Sequence, residues 1–314
     1  MRIFVAGATG ALGIRVVRML AAAGHVVVGT TRTPDKVELI RAAGAQAFVV
    51  DGLNAQAVRA AVAAARPDVI IHEMTALGGG DFKHFDRTFA LTNRLRTEGL
   101  DHLLTAAKEL GVRRLIAQSY CGWPYARNGA AVKTEDSDFD SHPAREMAST
   151  LNAIRYLEST LLGAPDIEGL ALRYGAFYGP GTGILESTIL EQLRHRRFPL
   201  LGDGNGCWSF VHVDDAAEAT ACATDHGDRG IYNIVDDEPA PVREWLPALA
   251  ALAGAKPPLH IPKWLGRLVA GDHLVKMMTE VRAGSNAKAK SALGWRPVHA
   301  SWREGFANSI QSTH

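Results

Sequence analysis

The residues best suited to chemistry stand near the amino end. Gly7-Ala8-Thr9-Gly10-Ala11-Leu12-Gly13 separates an apolar run, residues 3–6, from a segment with helical spacing at Leu12, Val16, Val17, Met19 and Leu20. Small residues are needed at such a junction if it is to hold a pyrophosphate. Gly7 permits a sharp exit from the strand, Gly10 lets backbone approach the phosphates, and Gly13 lets the helix pack closely on the strand. Amide groups around Thr9, Ala11 and Leu12 then meet the anion together with the positive end of the helix dipole. A glycine-rich turn alone is a weak signal; its place at the first strand-to-helix junction of an alternating chain is what points to a dinucleotide. The next strand ends Gly29-Thr30-Thr31-Arg32-Thr33, with no acid until Asp35. A carboxylate there would hold ribose hydroxyls, whereas Arg32 suits a 2′-phosphate, so the pattern favours NADP(H) over NAD(H). Asp51, after the third strand, is placed to contact adenine.

A second group could handle protons. Ser119 and Tyr120 follow a fifth strand, and Tyr125 follows Trp123-Pro124. A hydroxyl there can polarise a substrate oxygen and a phenol can act as the acid, with Lys133, Arg145 or Glu146 assisting. Each tyrosine can equally be a pocket wall or core aromatic. Glu73-Met74-Thr75 follows the fourth strand; Glu73 reads as a catalytic acid or as a hydrogen-bonded structural one. His212-Val213-Asp214-Asp215 has the look of an acid–base pair, but Asp214 fits better as an acid at a helix start. Arg194-His195-Arg196-Arg197 reads as a solvated helix end or a greeting for an anionic substrate. The three cysteines, Cys121, Cys207 and Cys222, are scattered without a CxxC, and His72-Glu73 lacks a second histidine four residues on, so neither a disulfide framework nor a zinc site is expected.

These groups need a frame to position them. Apolar strands are expected at residues 3–6, 25–29, 46–50, 69–72, 114–118 and 169–173. Helical patterns lie between them at residues 11–23, 34–43, 54–65, 85–110 and 143–162. Continuous apolar strands alternating with amphipathic helices imply an α/β fold, a doubly wound parallel sheet of the Rossmann type. After Gly179 the pattern loosens through Pro180-Gly181-Thr182-Gly183. The expected division is a dinucleotide-binding domain over residues 1–178, rejoined at about 210–236, and a smaller, interleaved substrate lobe over 179–314. At 314 residues, 47% hydrophobic, a sizeable core is affordable; a net charge of +1 offers no footprint for nucleic acid or an anionic membrane. No charged leader precedes the first strand and no run is long enough to span a bilayer, so a cytoplasmic location is expected.

Together these residues resemble the extended or atypical branch of the short-chain dehydrogenase/reductase superfamily, in its NAD-dependent epimerase/dehydratase group. Gly7, Gly10 and Gly13 are similar to its glycine motif, Val69-Ile70-Ile71-His72 to its fourth strand, and Asn93 to an asparagine of its long helix. Leu172-Arg173-Tyr174 through Tyr178-Gly179-Pro180-Gly181 resembles its sixth strand and exit. Gly202-Asp203-Gly204, Phe210 through Ala216, and Leu293-Gly294-Trp295-Arg296-Pro297 resemble segments of its substrate lobe and C-terminus. The resemblance implies cofactor contacts from Met74, Thr75, Gln118, Tyr174, Ala176 and Phe177, a small-molecule substrate, and a homodimer by analogy. It also implies a serine, a tyrosine and a lysine as proton handlers, the last two as Y-x-x-x-K.

Here the chain departs from the pattern. Four residues after Tyr120, Tyr125, Tyr156, Tyr174, Tyr178 and Tyr232 stand Pro124, Gly129, Thr160, Tyr178, Thr182 and Asp236, none of them lysine. One expectation is therefore an NADP(H)-dependent oxidoreductase or epimerase for a small polar metabolite, with Ser119 polarising the substrate oxygen and Tyr120 or Tyr125 supplying the proton. An acid borne by water or substrate is compatible with it. The alternatives are a non-catalytic NADP(H)-binding sensor and an isomerase or lyase that carries the dinucleotide structurally.

Overall fold

The alternation of apolar strands and amphipathic helices builds one seven-stranded parallel sheet. The computed structural model describes residues 1–76, 85–182, 185 and 187–311. The sheet strands are β1 (Arg2–Ala6), β2 (Val26–Thr31), β3 (Gln46–Val49), β4 (Val69–His72), β5 (Arg114–Tyr120), β6 (Glu168–Tyr174) and β7 (Gly230–Ile234). Their order is β7-β6-β5-β4-β1-β2-β3. The chain winds one way from β1 through β3 and the other way from β4 through β7, so the direction reverses between β1 and β4. That reversal opens a crevice at the carboxyl ends of the strands, where ligands of such sheets bind.

Helices cover both faces because the central strands are apolar and buried on both. On one side α1 (Ala11–Ala22) sets Leu12, Val16, Val17 and Leu20 against Ile3, Val5, Ile71 and Leu172, with the later helix Val213–Cys222 beside it. On the other side lie α3 (Ala55–Ala65), α5 (Leu100–Leu110) and α6 (Ala148–Gly163), burying Val62, Leu103 and Leu157 against Phe4, Ile70 and Leu115. Between β2 and β3 runs α2 (Val37–Ala42). Asn54 caps α3 by accepting from the Ala57 amide at 3.0 Å, and Gly111 ends α5 at φ 72°.

The expected long helix is interrupted. α4 (Phe85–Arg94) passes into a π-helical turn, Leu95–Gly99, before α5 begins. A π turn adds a residue to the repeat and so rotates the later helix about its axis relative to the earlier one. Two strands also run longer than their apolar runs: β2 reaches Thr31, and β5 reaches Tyr120, which places Ser119 inside the sheet. The expected helix at 143–162 begins as a 3-10 turn, Arg145–Met147. The short segment Ala176–Tyr178 pairs in parallel with Phe210–His212, bringing the C-terminal half back over the strand ends. There a third apolar cluster gathers Tyr178, Phe210, Trp245, Trp302 and Phe306. Gly183, in the turn-rich break, lies outside the described residues.

Candidate functional site

The glycine loop is built as a cradle. Gly7 adopts φ +90°, and a Cβ on it would stand 2.6 Å from the Glu73 carbonyl. A Cβ on Gly13 would stand 2.3 Å from the Gly7 oxygen, so only glycine lets α1 approach β1 this closely. Gly10, the residue before α1, is different: its missing side chain would meet only the Gly7 oxygen, at 3.4 Å. Its exposed face is thus open space above the helix start. Gly10 offers no side-chain cap, no acid stands in the first turn, and the amides of Ala11, Leu12 and Gly13 find no backbone acceptor among the described residues. An open helix end of twelve residues with free N–H groups fits a pyrophosphate.

The end of β2 is knitted to that cradle. The Ala8 amide donates to the Thr30 carbonyl at 2.9 Å, and the Thr9 and Thr31 hydroxyls are 3.2 Å apart. Arg32 follows, exposed, and makes no side-chain hydrogen bond or ion pair among the described residues. Among the described residues no carboxylate shares this corner: Asp35 is exposed in the next turn, and the Asp51 carboxylate accepts from the Leu53 amide at 3.0 Å. Met74 packs its thioether over Gly52 and Gly99, and Thr75 is exposed at the crevice. A dinucleotide's phosphates fit the open α1 end, and Arg32 stands exposed at the adjoining end of β2.

Beneath the cradle lies an acid held neutral. Glu73 is buried, and burial raises its pKa to about 8. The Tyr174 phenol donates to Glu73 Oε1 at 3.3 Å and lies 2.7 Å from the Thr220 hydroxyl, which reaches the Ala216 carbonyl at 2.7 Å. Glu73 Oε2 is buried without a partner. His72 is neutral as well, its pKa drawn down to about 4 by burial, with Nε2 2.9 Å from the Leu95 carbonyl oxygen.

The three proton handlers expected from sequence are not brought together. Side chains alternate along β5, so Gln118 and Tyr120 share one face and Ser119 takes the other. Ser119 is 1% exposed and donates to Glu158 Oε1 at 2.6 Å; Glu158 in turn receives Arg173 at 2.6 Å. The Ser119 hydroxyl, expected to polarise a substrate oxygen, thus points into the sheet–α6 core. Tyr125 lies in the same buried network. Its phenol donates to Asn233 Oδ1 at 2.6 Å and accepts from Arg173 Nη1 at 3.1 Å, deep in the same network. Lys133 is turned to the Asn128 carbonyl. Tyr120 alone faces a cleft, with Trp123 at 6.3 Å between ring centroids, and burial pushes its phenol well above its ordinary pKa.

Sequence reading missed the polar cluster between α4 and α6, where Ile154 packs in one apolar cluster with Tyr120. The turn of α6 directed at α4 carries Thr150 and Ile154, both buried, one helical turn apart and without a lysine. Asn93 donates to the Thr150 hydroxyl at 3.0 Å. Arg96, on the π turn, is buried beside them. Of the remaining expectations, Tyr174 turns its side chain under the sheet to Thr220, and the Tyr174 carbonyl accepts from the Cys121 amide. Ala176 and Phe177 lie half-buried on the bridge to Phe210 and Val211. Asp214 stands in the first turn of its helix and pairs with Arg15 of α1 at 2.6 Å. Arg194, His195, Arg196 and Arg197 are exposed. Among the described residues no group of three His, Cys, Asp or Glu side chains is placed to hold a metal, and no helix is long and apolar enough to cross a membrane.

A family model described as NAD dependent epimerase/dehydratase family matches residues 3–235. A 3-diazoavenalumate denitrifying reductase of a Streptomyces species is 42% identical over 312 residues, spanning 98% of this chain and 99% of that one. A UDP-glucose 4-epimerase of Mycolicibacterium smegmatis is 26% identical over 336 residues, spanning 99% and 98%. Among solved structures, the UDP-glucose 4-epimerase of Thermus thermophilus in complex with NAD aligns with a TM-score of 0.75 at 26% identity, covering 99% and 98% of the two chains. The enzyme of Thermotoga maritima with UDP-glucose aligns at 0.79 and 23% identity, covering 100% and 98%, a likeness of fold.

Proposed function

The chain belongs to the NAD dependent epimerase/dehydratase family and is an enzyme of that family, and on this premise we propose that it is an NADP(H)-dependent reductase whose substrate accepts hydride without a proton from the protein. Bound in the cradle, a reduced nicotinamide supplies that hydride. Gly7, Gly10, Gly13 and the α1 amides would hold the phosphates, and Arg32 the 2′-phosphate, in a corner that offers no acid for ribose hydroxyls. The lobe built from residues after Gly179 would close on the substrate.

One observation carries the proposal: the proton-handling positions are disarmed. The Ser119 hydroxyl and the Tyr125 phenol are bound inside a buried ion-pair network, and no tyrosine of the chain has a lysine four residues on. Tyr120, with its pKa raised by burial, is a poor acid at neutral pH. Reduction of a ketone to an alcohol needs a proton as well as hydride. Reductive loss of nitrogen from an arenediazonium does not: a C–H bond forms, the C–N bond breaks, dinitrogen leaves, and the charges balance with hydride alone. A relative 42% identical over nearly the full length carries a name that describes a denitrifying reduction of a diazo acid. The residues of this site would then bind and orient the ring and exclude water, effects that supply much of a rate by themselves. The substrate class is therefore an aromatic diazo compound.

The test is NADPH oxidation with a diazotised 3-amino-4-hydroxycinnamate. The expected result is one NADPH consumed and one dinitrogen released per 4-hydroxycinnamate formed, with NADH a poorer donor. Turnover of UDP-glucose or of simple ketones, with the diazo compound inert, would overturn the proposal.

A further inference from the structure

One guanidinium ties three segments together at the mouth of the cradle. Arg15 is the fifth residue of α1, and its side chain folds back over the first turn. Nη1 donates to the Ala11 carbonyl at 2.8 Å, Nε to Asp214 Oδ1 at 2.6 Å, and Nη2 to the Pro180 carbonyl at 3.0 Å. Ala11 opens α1, and Asp214 lies in the first turn of the helix Val213–Cys222. Pro180 stands in the turn through which the chain leaves the sheet for the second lobe, where the Thr182 amide and hydroxyl both reach the Gly179 carbonyl at 3.2 Å. That turn packs on the cap of the same helix. A Cβ on Gly179 would stand 2.7 Å from His212 Nε2, and His212 Nδ1 accepts from the Asp214 amide at 3.2 Å.

A cation is the wrong charge for this place. The start of a helix carries the positive end of its dipole and is stabilised by acids. The first turn of α1 has none, and Arg15 brings a guanidinium back to it. Asp214 offsets that charge in part, its side chain being 48% exposed to solvent against 20% for Arg15. An anion at the open α1 end would supply the rest. The bond to Ala11 acts in the same direction. The Ala11 carbonyl belongs to the same peptide unit as the Leu12 N–H, one of the amides with no backbone acceptor among the described residues. A cation bonded to that oxygen draws electron density from the nitrogen and makes the N–H a stronger donor, as linked hydrogen bonds polarise one another. The gain is realised only when an acceptor such as a phosphate oxygen is there to take it.

We infer that Arg15 is a positioning residue that couples the place of the cofactor's diphosphate to the Pro180 turn. It sharpens the Leu12 amide toward the diphosphate and holds the entry to the second lobe against the helix that carries that amide. Such coupling is reciprocal: what Arg15 does for the diphosphate, the diphosphate does for the bonds of Arg15, and so for the turn. The inference rests on the cradle reading and adds the residue through which the substrate lobe feels that the cradle is loaded. Arg32, at the end of β2, answers to a different phosphate, so the two arginines are separable.

The probes are NADP+ and adenosine 2′-monophosphate, which has the 2′-phosphate and no diphosphate. Affinities are measured by titration calorimetry on the full chain. Arg15→Gln should weaken NADP+ by about 10-fold, the range of a charge-assisted hydrogen bond, and leave adenosine 2′-monophosphate within about twofold. Arg15→Lys keeps the charge but not the fork and should recover part of the loss. Hydrogen exchange reads the other end of the coupling. NADP+ should slow exchange of the Thr182 amide in the wild type and do so much less in Arg15→Gln. Equal weakening of both probes, unchanged NADP+ affinity, or equal protection of Thr182 in the two proteins would overturn the inference. Asp214→Asn separates a positioning charge from a structural brace. Its amide oxygen can still accept from Arg15 Nε while the negative charge is gone, so NADP+ should bind at least as tightly as to the wild type. Weakening like that expected of Arg15→Gln would reject the proposal, and this variant decides should Arg15→Gln fail to fold. Failure of the wild type to bind NADP+ would sink the cradle reading and the inference with it, whereas NADP+ binding that ignores Arg15 sinks the inference alone.

Discussion

Replacing Glu73 with glutamine asks whether the acid beneath the glycine loop is held neutral. Burial raises its pKa from 4.5 to about 8, outweighing the Tyr174 phenol that donates to Oε1 at 3.3 Å. The unfolded chain releases this proton above its ordinary pKa, whereas the folded chain keeps it until about pH 8. Across that window the folded state binds more protons than the unfolded one. Stability from this group is therefore fully present below the ordinary pKa, falls as pH rises through the window, and levels off above it. Each pH unit inside the window is about 1.4 kcal/mol. From about pH 6 to about pH 8 the wild type should thus lose roughly 3 kcal/mol relative to Glu73→Gln, which has no proton to release. The assay is a set of denaturant unfolding curves for both proteins at half-unit pH steps, taking the difference so that all other groups cancel. NADPH affinity offers a second readout, since an ionised Glu73 under the cradle repels the phosphates. The wild type should bind more weakly above about pH 8 and the variant should not. Parallel stability curves would refute the reasoning and mean that the carboxyl is ionised in the fold.

Arg32→Ala should weaken NADPH by about 10- to 100-fold and NADH by less than about twofold; equal weakening in a titration removes the 2′-phosphate role. Gly13→Ala places a Cβ 2.3 Å from the Gly7 oxygen, so α1 must lift from β1. Dinucleotide affinity should collapse, with a drop in melting temperature of at least several degrees. Glu158→Ala leaves Arg173 buried and unpaired and should cost about 3–5 kcal/mol in denaturant unfolding. Tyr125→Phe should cost about 1–3 kcal/mol through Asn233 and Arg173 and leave kcat unchanged. Tyr120→Phe should keep kcat within a few-fold when the acceptor needs only hydride, and a loss beyond a hundredfold would restore a phenol acid.

What sequence determined by itself was local and periodic. The apolar strands, the helical spacing at Leu12, Val16 and Leu20, and the three glycines specify an α/β sheet with a tight glycine turn between its first strand and helix, because strand, helix and turn each impose a repeat or a φ that residue types reveal. The missing Y-x-x-x-K and the acid-free end of β2 were visible for the same reason, both being short-range spacings. The direction of a side chain and its partner over a hundred residues away leave no such mark. Ser119 looks like any hydroxyl after a strand until β5 extends past it and its alternation turns the side chain toward Glu158. Tyr125 meets Asn233 only because β7 returns to the edge of the sheet beside β6. Arg94 and Arg96 are alike in the chain, yet one reaches solvent and Glu98 while the other is buried. The π turn beginning at Leu95 resets the helical phase between them, and tertiary packing decided that this charge faces inward.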